Sequence, residues 1–149
     1  MRYLLVDAHS VIFSWPELHE LHQRNGLVAR EELTRRLTAY QDATGVRVVV
    51  VFDGTGARSN SEKVPGGIQV FYSGGGKTAD CIIERLTAKY ATEHEITAAT
   101  NDHLVQQTVS TFGGLAISVE ALRKLLDEAD RDVTRRIRQW RRKGRKSDQ

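Results

Sequence analysis

The run VRVVVVF at residues 46–52 constrains the fold more than any other part of this sequence. Apart from Arg47 it is apolar throughout and rich in β-branched valine, so both of its faces need shielding from water. Strands that are covered on both faces are typical of parallel sheets lying between layers of helices. A shorter apolar run, YLLV at residues 3–6, has the same character. The two runs predict two buried strands of a parallel sheet.

Helix and strand patterns alternate along the rest of the chain. Residues 27–43 carry Leu33, Leu37 and Tyr40 at helical spacing, and Gly45 follows as a stop signal. Further strands are predicted at 68–71, 95–99 and 115–117, and further helices at 78–90, at 102–111 and from 118 onward. This alternation predicts an α/β fold of three layers, with helices on both faces of a mostly parallel sheet of about five strands.

The chain of 149 residues has the usual size of one globular domain, but its charge is concentrated at one end. Residues 131–149 hold nine Lys or Arg against two Asp, a net charge of +7, which leaves −4 for residues 1–130 out of the total of +3. We therefore predict one domain at 1–130, followed by a basic helix end and tail at 131–149. The interval 54–67, with five glycines and prolines, is the best candidate for a mobile loop.

The basic end allows two interpretations. A run of like charges is often only a solvated helix face or a disordered end, but it also attracts polyphosphate backbones. Trp140 lies within the run, and an aromatic side chain there favours contact with nucleic acid or a ribosome. Under the second interpretation, the side chains that contact the substrate include Arg141, Arg142 and Lys143.

The sequence has one cysteine, Cys81, so neither an intramolecular disulfide nor a cysteine-based metal site is available to it. A free thiol is typical of a reducing cytoplasm. The apolar run near Met1 is too short for a signal peptide, and no stretch approaches the ~20 apolar residues of a membrane span. We expect a soluble cytoplasmic protein that does not enter a membrane.

Acidic residues follow several of the predicted strands. Asp7 comes directly after the first strand, Asp53 directly after the second, and Asp102 follows a later strand after two small polar residues. Because the carboxyl ends of parallel strands meet at one edge of a sheet, we expect these three side chains to converge there. The helix after the glycine-rich segment can present Asp80 toward the same edge, together with Glu84 one turn later.

Such a group of acids favours a metal ion. Neighbouring carboxylates resist joint ionisation because each raises the pKa of the other, and a divalent cation removes that conflict. A ligand set made only of oxygen atoms favours Mg²⁺ or Mn²⁺, whose usual task beside carboxylates is phosphoryl chemistry. The pattern predicts a metal site of Asp7, Asp80 and Asp102, with Asp53 and Glu84 as further candidates. Each acid taken alone also fits a helix cap or a solvated loop.

The segment FYSGGGKTAD at residues 71–80 has a competing interpretation. Its glycines before Lys77 and Thr78 resemble the phosphate-binding loop of a nucleotide-binding protein. The strict loop motif needs a glycine at position 71, where this chain has Phe71, so the match is incomplete. The alternative is a pliant turn in which Thr78 caps the following helix, while Lys77 either contacts substrate phosphate or is solvated.

Five segments of the chain resemble one known family in the correct order. They are YLLVDAHSVI, RLTAYQDATGVRVVVVFDG, VFYSGGGKTADCIIE, ITAATNDHLVQQTVSTFGG and AISVEAL. Together, over residues 2–126, they resemble the YacP-like branch of the NYN domains, which are bacterial relatives of PIN-domain nucleases. The resemblance implies a metal-dependent ribonuclease centre of Asp7, Asp80 and Asp102, with Asp53 as an auxiliary acid. It also implies that the substrate is messenger RNA engaged by the ribosome, and hence a role in mRNA decay.

The chain departs from that family at one position. Where the family reads D-G-Y-N after the first strand, this chain reads D-A-H-S at residues 7–10, so a serine replaces the supporting asparagine. Ser10 can still donate or accept one hydrogen bond and is a candidate for contact with the substrate, but it lacks the paired donor and acceptor of an amide. The replacement leaves open a catalytically weakened module that binds RNA or ribosomes without cutting. A phosphoacceptor receiver domain built on Asp7 and Asp53 is a third hypothesis, although it leaves the other two acids unexplained.

Overall fold

The computed structural model describes residues 1–54, 61–63, 67–74 and 78–147, and the centre of this described part is one sheet of six strands. The strands are β1 (Arg2–Asp7), β2 (Arg47–Phe52), β3 (Ser61–Lys63), β4 (Gln69–Tyr72), β5 (Glu95–Ala99) and β6 (Leu115–Ile117). Their spatial order is β3-β4-β2-β1-β5-β6. Five of them run parallel, and β3 pairs with β4 in the antiparallel sense. The predicted parallel sheet of about five strands is confirmed.

Six helices in the described part of the chain cover both faces of this sheet. They are α1 (Ala8–Ser14), α2 (Pro16–Arg24), α3 (Gly26–Thr44), α4 (Ala79–Tyr90), α5 (His103–Thr111) and α6 (Val119–Ser147). On one face α1, α2, α3 and α6 pack over a core that includes the fully buried Leu33, Leu37 and Leu122. On the other face α4 and α5 pack through Ile83 and Val109, which are equally buried. The three predicted layers are therefore present, with the valines of β2 between them.

Three helix boundaries follow from local sequence signals. α3 stops at Gly45, whose φ of 75° lies in the left-handed region that favours glycine. The side chain of Thr78 accepts a hydrogen bond from the backbone N–H of Cys81 and so caps α4. Asp102 caps α5 in the same way, through the N–H of Leu104. Each of these residues is the stop or the cap that its type predicts.

The sequence pattern does not predict two of the helices and one of the strands. α1 and α2 have seven and nine residues. They are too short for a helical period to emerge in a window of about 11 to 18 residues. β3 lies inside the interval 54–67, for which a mobile loop is predicted, and pairs with β4 at the edge of the sheet. Residues 55–60 and 64–66 of that interval lie outside the described residues.

α6 is the longest described helix, with 29 residues, and its first half packs against the domain. Val119, its first residue, lies at the carboxyl edge of the sheet, because β6 ends two residues earlier. Further along, Arg135 lines a groove together with Thr44, the last residue of α3, at the amino edge where β2 begins. All residues at 135–145 are exposed. We call residues 135–147 the arm, which extends beyond the amino edge of the sheet.

α6 also passes without a break through residue 130, the predicted end of the domain. The division of the chain into a domain at 1–130 and a basic end at 131–149 stays a prediction. Among the described residues, no helix combines the length and the apolar character that a membrane span requires.

Candidate active site

Three aspartates lie at the carboxyl ends of neighbouring strands. Asp7 is the last residue of β1, Asp53 follows β2, and Asp102 lies three residues after β5. Because β1 runs parallel to β2 on one side and to β5 on the other, the three residues share one edge of the sheet. Asp80 lies in the first turn of α4. We call these four residues the acid cluster.

Asp7 is the buried member of the acid cluster, with 4% of its surface exposed. Its Oδ2 accepts hydrogen bonds from Ser10 Oγ at 2.8 Å and from Thr100 Oγ1 at 3.0 Å. Its Oδ1 is also buried, but this oxygen has no hydrogen-bond partner among the described residues. A buried carboxylate oxygen without a partner is costly, so Oδ1 calls for a donor or a cation.

Asp53 and Asp102 are each held by backbone amides. Oδ1 of Asp53 accepts a hydrogen bond from the N–H of Ala79 at 2.8 Å, which ties the end of β2 to the start of α4. Oδ1 of Asp102 accepts from the N–H groups of Leu104 at 2.9 Å and Val105 at 3.3 Å. Both acids therefore contribute to the fold in addition to any chemistry they perform.

Asp80 is the member whose ionisation depends on the other three. Its pKa is raised from the ordinary value of 3.8 to about 6. Partial burial is the largest cause, followed by the charges of Asp7 and Asp102, a hydrogen bond with the Asp102 carboxyl group, and the charge of Asp53. A hydrogen bond between two carboxyl groups requires a proton on one of them. Without a cation, the acid cluster therefore keeps a proton at a pH where isolated aspartates have lost theirs.

The acid cluster has the chemistry of a site for a hard cation. Its donors are carboxylate oxygens, which suit Mg²⁺ and Mn²⁺, and the buried Oδ1 of Asp7 has no partner in the described part of the chain. Among the described residues, no group of three or more His, Cys, Asp or Glu side chains is arranged so that it could hold a metal ion as it stands. A cation would offset the repulsion that raises the pKa of Asp80. The residues therefore fit the ion by the chemistry of their donor atoms.

Three other predicted site residues differ in their relation to the acid cluster. Ser10 adjoins it, since its Oγ donates to Asp7 and accepts a hydrogen bond from the N–H of Asn101 at 3.3 Å. Glu84 lies one turn beyond Asp80 on α4 and is joined to the cluster by no hydrogen bond among the described residues. Lys77 lies outside the described residues.

The basic residues that the sequence nominates for substrate contact lie far from the acid cluster. Arg141, Arg142 and Lys143 belong to the arm, whereas Val119 starts α6 at the edge that carries the acids. Between Val119 and Arg141 the helix rises by about 33 Å. The structure therefore does not bring these side chains to the cluster, because α6 is continuous and leads away from it. Any contact they make with RNA is at a separate place.

Two residues that sequence reasoning did not nominate hold the site together. Thr100 is fully buried, and its Oγ1 donates to Asp7 while accepting a hydrogen bond from the N–H of Asp102 at 3.2 Å. Asn101 ties the site to α6, because its Oδ1 accepts from the N–H of Val119 at 3.1 Å. Their position in the sequence could have identified them, because they are the two residues between the end of β5 and Asp102.

The chain matches a family model and resembles a bacterial protein of known structure. The model of the YacP-like NYN domain matches residues 4–149. The chain is 32% identical over 140 residues to the YacP protein of Bacillus subtilis (strain 168), covering 93% of this chain and 82% of that protein. A crystal structure of Rae1 (YacP) from Bacillus subtilis has a TM-score of 0.79 at 29% identity, covering 99% of this chain and 86% of that one. A mutant of the same protein has a TM-score of 0.78 at 31% identity, covering 92% and 81%. This chain therefore belongs to the YacP-like NYN domain family.

Proposed function

We propose that this protein is a metal-dependent endoribonuclease, and that it hydrolyses phosphodiester bonds of messenger RNA in a ribosome-associated setting. Its membership of the NYN domain family supports a nuclease-like fold and RNA as substrate or partner. The observation that carries the proposal is the acid cluster, whose four carboxylates come from separate parts of the chain. Stability does not explain such a cluster, because like charges that converge without a cation oppose folding.

Asp7, Asp80 and Asp102 would hold Mg²⁺ or Mn²⁺, and Asp53 adds negative charge beside them. When bound, the ion supplies the positive charge that activates a water molecule and stabilises the leaving oxygen during attack on the phosphodiester. The Asp102 carboxyl group is near enough to raise the pKa of Asp80, so one positive charge would act on both side chains.

The chain itself orients these ligands. Ser10 and Thr100 both donate to Oδ2 of Asp7, which leaves the buried Oδ1 for the ion. Asp53 accepts from the N–H of Ala79 and so fixes the first turn of α4, which carries the next ligand. Loss of a group that orients a metal ligand in this way typically lowers metal affinity by about 10- to 100-fold.

The arm supports RNA within a large assembly as the partner. Its side chains at 135–145 are exposed and mostly basic, and they flank Trp140, which is 75% exposed. Basic side chains bind phosphates through the release of counterions, and an exposed indole stacks on bases. Because α6 rises by about 33 Å between Val119, at the edge that carries the acids, and Arg141, this part of the arm would contact RNA other than the phosphodiester that is cut. A separation of this size is compatible with a large RNA assembly such as the ribosome. The free thiol of Cys81 is typical of a protein in the reducing cytoplasm.

Incubation of the protein with RNA and Mn²⁺, alone and with translating ribosomes, tests this function. We expect cleavage that stops when Mn²⁺ is chelated and that is lost in Asp7→Asn. Calorimetric titration with Mn²⁺ distinguishes the enzyme from a module that only binds RNA, since only the enzyme needs a metal site that Asp7→Asn abolishes. Binding of RNA without cleavage, and without a Mn²⁺ site that depends on Asp7, would refute the proposal.

Replacing Thr100 with valine is expected to weaken Mn²⁺ binding by about 10- to 100-fold, the usual cost of losing a group that orients a metal ligand. Valine keeps the buried volume but cannot donate the 3.0 Å hydrogen bond to Asp7. Thr87→Val is the matched control, because Thr87 is equally buried and its Oγ1 donates to Ile83 of its own helix. Calorimetry measures both variants. Equal Mn²⁺ affinities in the two would show that Thr100 does not orient the ligand.

A further inference from the structure

An exposed aromatic cluster lies beside the acid cluster and takes no part in its chemistry. Phe13 of α1 exposes 46% of its surface, although phenylalanine is usually buried. Three imidazole rings surround it, and the ring centroids of His9, His19 and His22 lie 4.4, 5.2 and 5.1 Å from its own. We call these four side chains, shared between α1 and α2, the aromatic patch.

α1 holds the aromatic patch at the edge of the sheet that carries the acids. The helix begins directly after Asp7. At its other end, Ser14 Oγ accepts a hydrogen bond from Asn101 Nδ2 at 3.1 Å. The indole N–H of Trp15 then donates to the carbonyl of Val119, at the start of α6, at 3.1 Å. Because both ends of α1 are anchored at the carboxyl edge, the helix lies along that edge.

The residues of α1 divide between the site and the patch. Ser10 and Ser14, four residues apart, share the face that contacts Asn101. His9 and Phe13 are also four residues apart and share the neighbouring face, which is open to solvent. His9 adjoins Ser10, the residue that donates to Asp7, so the patch begins one residue from a contact of the acid cluster.

The acids of α2 beside the aromatic patch are balanced by arginines. α2 contains two acids, and both are paired with arginines. Glu20 pairs with Arg24 at 2.8 Å, while Glu17 pairs with Arg36 at 2.9 Å and also with Arg123. The acids next to the patch therefore leave little unbalanced negative charge, and the imidazole rings add hydrogen-bonding groups. Phenyl and imidazole rings are the side chains on which unpaired RNA bases stack.

We propose that the aromatic patch binds an unpaired base of single-stranded RNA next to the phosphodiester at the acid cluster, with Phe13 as the main stacking ring. This inference rests on the proposed function for the identity of the ligand. RNA is favoured over an apolar peptide because the patch consists of planar rings and adjoins the place where a phosphodiester has to lie. Stacking tolerates any base, so the patch positions the strand without selecting a sequence.

Binding of a short single-stranded RNA that carries the fluorescent base 2-aminopurine tests the inference, with a chelator present to prevent cleavage. Phe13→Leu keeps an apolar side chain and removes the ring, so we expect RNA affinity to fall by about 10-fold. Phe13→Tyr keeps the ring and should keep the affinity. Phe112→Leu is the matched control, since Phe112 is 47% exposed but lies at the end of α5, at the opposite edge of the sheet.

Fluorescence quenching on stacking is expected with the unchanged protein and with Phe13→Tyr. Equal affinity of Phe13→Leu and Phe112→Leu would overturn the inference and leave the patch as packing between α1 and α2. If Phe13→Leu lowers the melting temperature, its loss of RNA affinity does not test the inference. The unchanged protein then tests it, because saturation with RNA without fluorescence quenching would also overturn the inference.

Self-association that Phe13→Leu abolishes, with RNA affinity unaltered, would assign the patch to a second copy of the chain. Binding that depends on Phe13 but is followed by no cleavage upon addition of Mn²⁺ would refute the nuclease function and retain the stacking site.

Discussion

Replacing Asp80 with asparagine is expected to abolish metal-dependent RNA cleavage and, at the same time, to stabilise the metal-free protein. The loss of activity should reach at least about 100-fold, because removing a ligand costs no less than removing a group that orients one. The gain in stability follows from the partial burial of the Asp80 carboxylate and from its repulsion by the charges of Asp7, Asp102 and Asp53. Asparagine has nearly the same shape and carries no charge.

The gain depends on pH in a defined direction. The pKa of Asp80 is raised to about 6 in the folded protein, above the ordinary 3.8. The folded state therefore holds this proton more tightly than the unfolded state, and stability is lost as the pH rises from 3.8 through about 6. A shift of one unit corresponds to about 1.4 kcal/mol, and solvent screening of this partly exposed group reduces the expected gain at neutral pH to about 1 kcal/mol.

Thermal unfolding in a chelator measures this effect, and RNA cleavage in Mn²⁺ measures the activity of the same samples. The gain in melting temperature should be present at neutral pH and should vanish in acid, where Asp80 is protonated. Asp42→Asn is the matched control, because Asp42 is an exposed acid of α3 outside the acid cluster. Undiminished cleavage by Asp80→Asn would refute the assignment of Asp80 as a metal ligand, whatever the stability of the variant.

The second large effect is expected from the arm. Replacing Arg141, Arg142, Lys143 and Arg145 with glutamine should lower RNA or ribosome affinity and flatten its dependence on salt. For single strands the logarithm of affinity falls against the logarithm of salt with a slope of about −0.7 per phosphate contact, so four lost contacts change the slope by about 3. Glutamine preserves helix propensity, and Trp140 is left in place.

One further variant completes this test. Lysine at positions 141, 142 and 145, beside the native Lys143, keeps the charge and should keep the salt slope, which separates charge from side-chain shape. Mn²⁺ affinity should be unchanged in both variants, because the arm contributes no ligand and these positions lie about 33 Å or more along α6 from Val119, which is at the edge that carries the acids. An unchanged affinity and an unchanged salt slope in the glutamine variant would make the arm a solubilising end, and the RNA-binding surface would then lie elsewhere.

The acids of the site could be found in the sequence because local patterns mark where each one lies. The valine-rich run that forms β2 identifies a buried strand, and the residue after it, Asp53, must then lie at the carboxyl edge. Asp7 follows β1 in the same way, and Thr78 marks the start of the helix that carries Asp80. Parallel topology then brings these residues together without further information.

The contacts between elements could not be found in this way. The bonds of Thr100 and Asn101 depend on how α1 and α6 approach β5, which is decided by packing over the whole face of the sheet. The aromatic patch needs α1 and α2, whose seven and nine residues carry too little periodicity to be detected. The sequence shows that α6 ends in basic residues. Only the packing of α6 on α3 determines that these residues lie at the amino edge of the sheet, opposite the acids.

The length of α6 has an electrostatic consequence for the whole molecule. The modest total charge of +3 conceals a strong dipole, because the acid cluster and the basic arm lie at opposite edges of the sheet. From Val119, at the edge that carries the acids, α6 rises by about 33 Å to Arg141, some four times the Debye length of about 8 Å at physiological ionic strength, so these basic residues do not neutralise the acids. The electric field of a polyanion orients the molecule so that the basic arm faces the polyanion. Under the proposed function, we therefore expect the arm to contact RNA before the acids reach it.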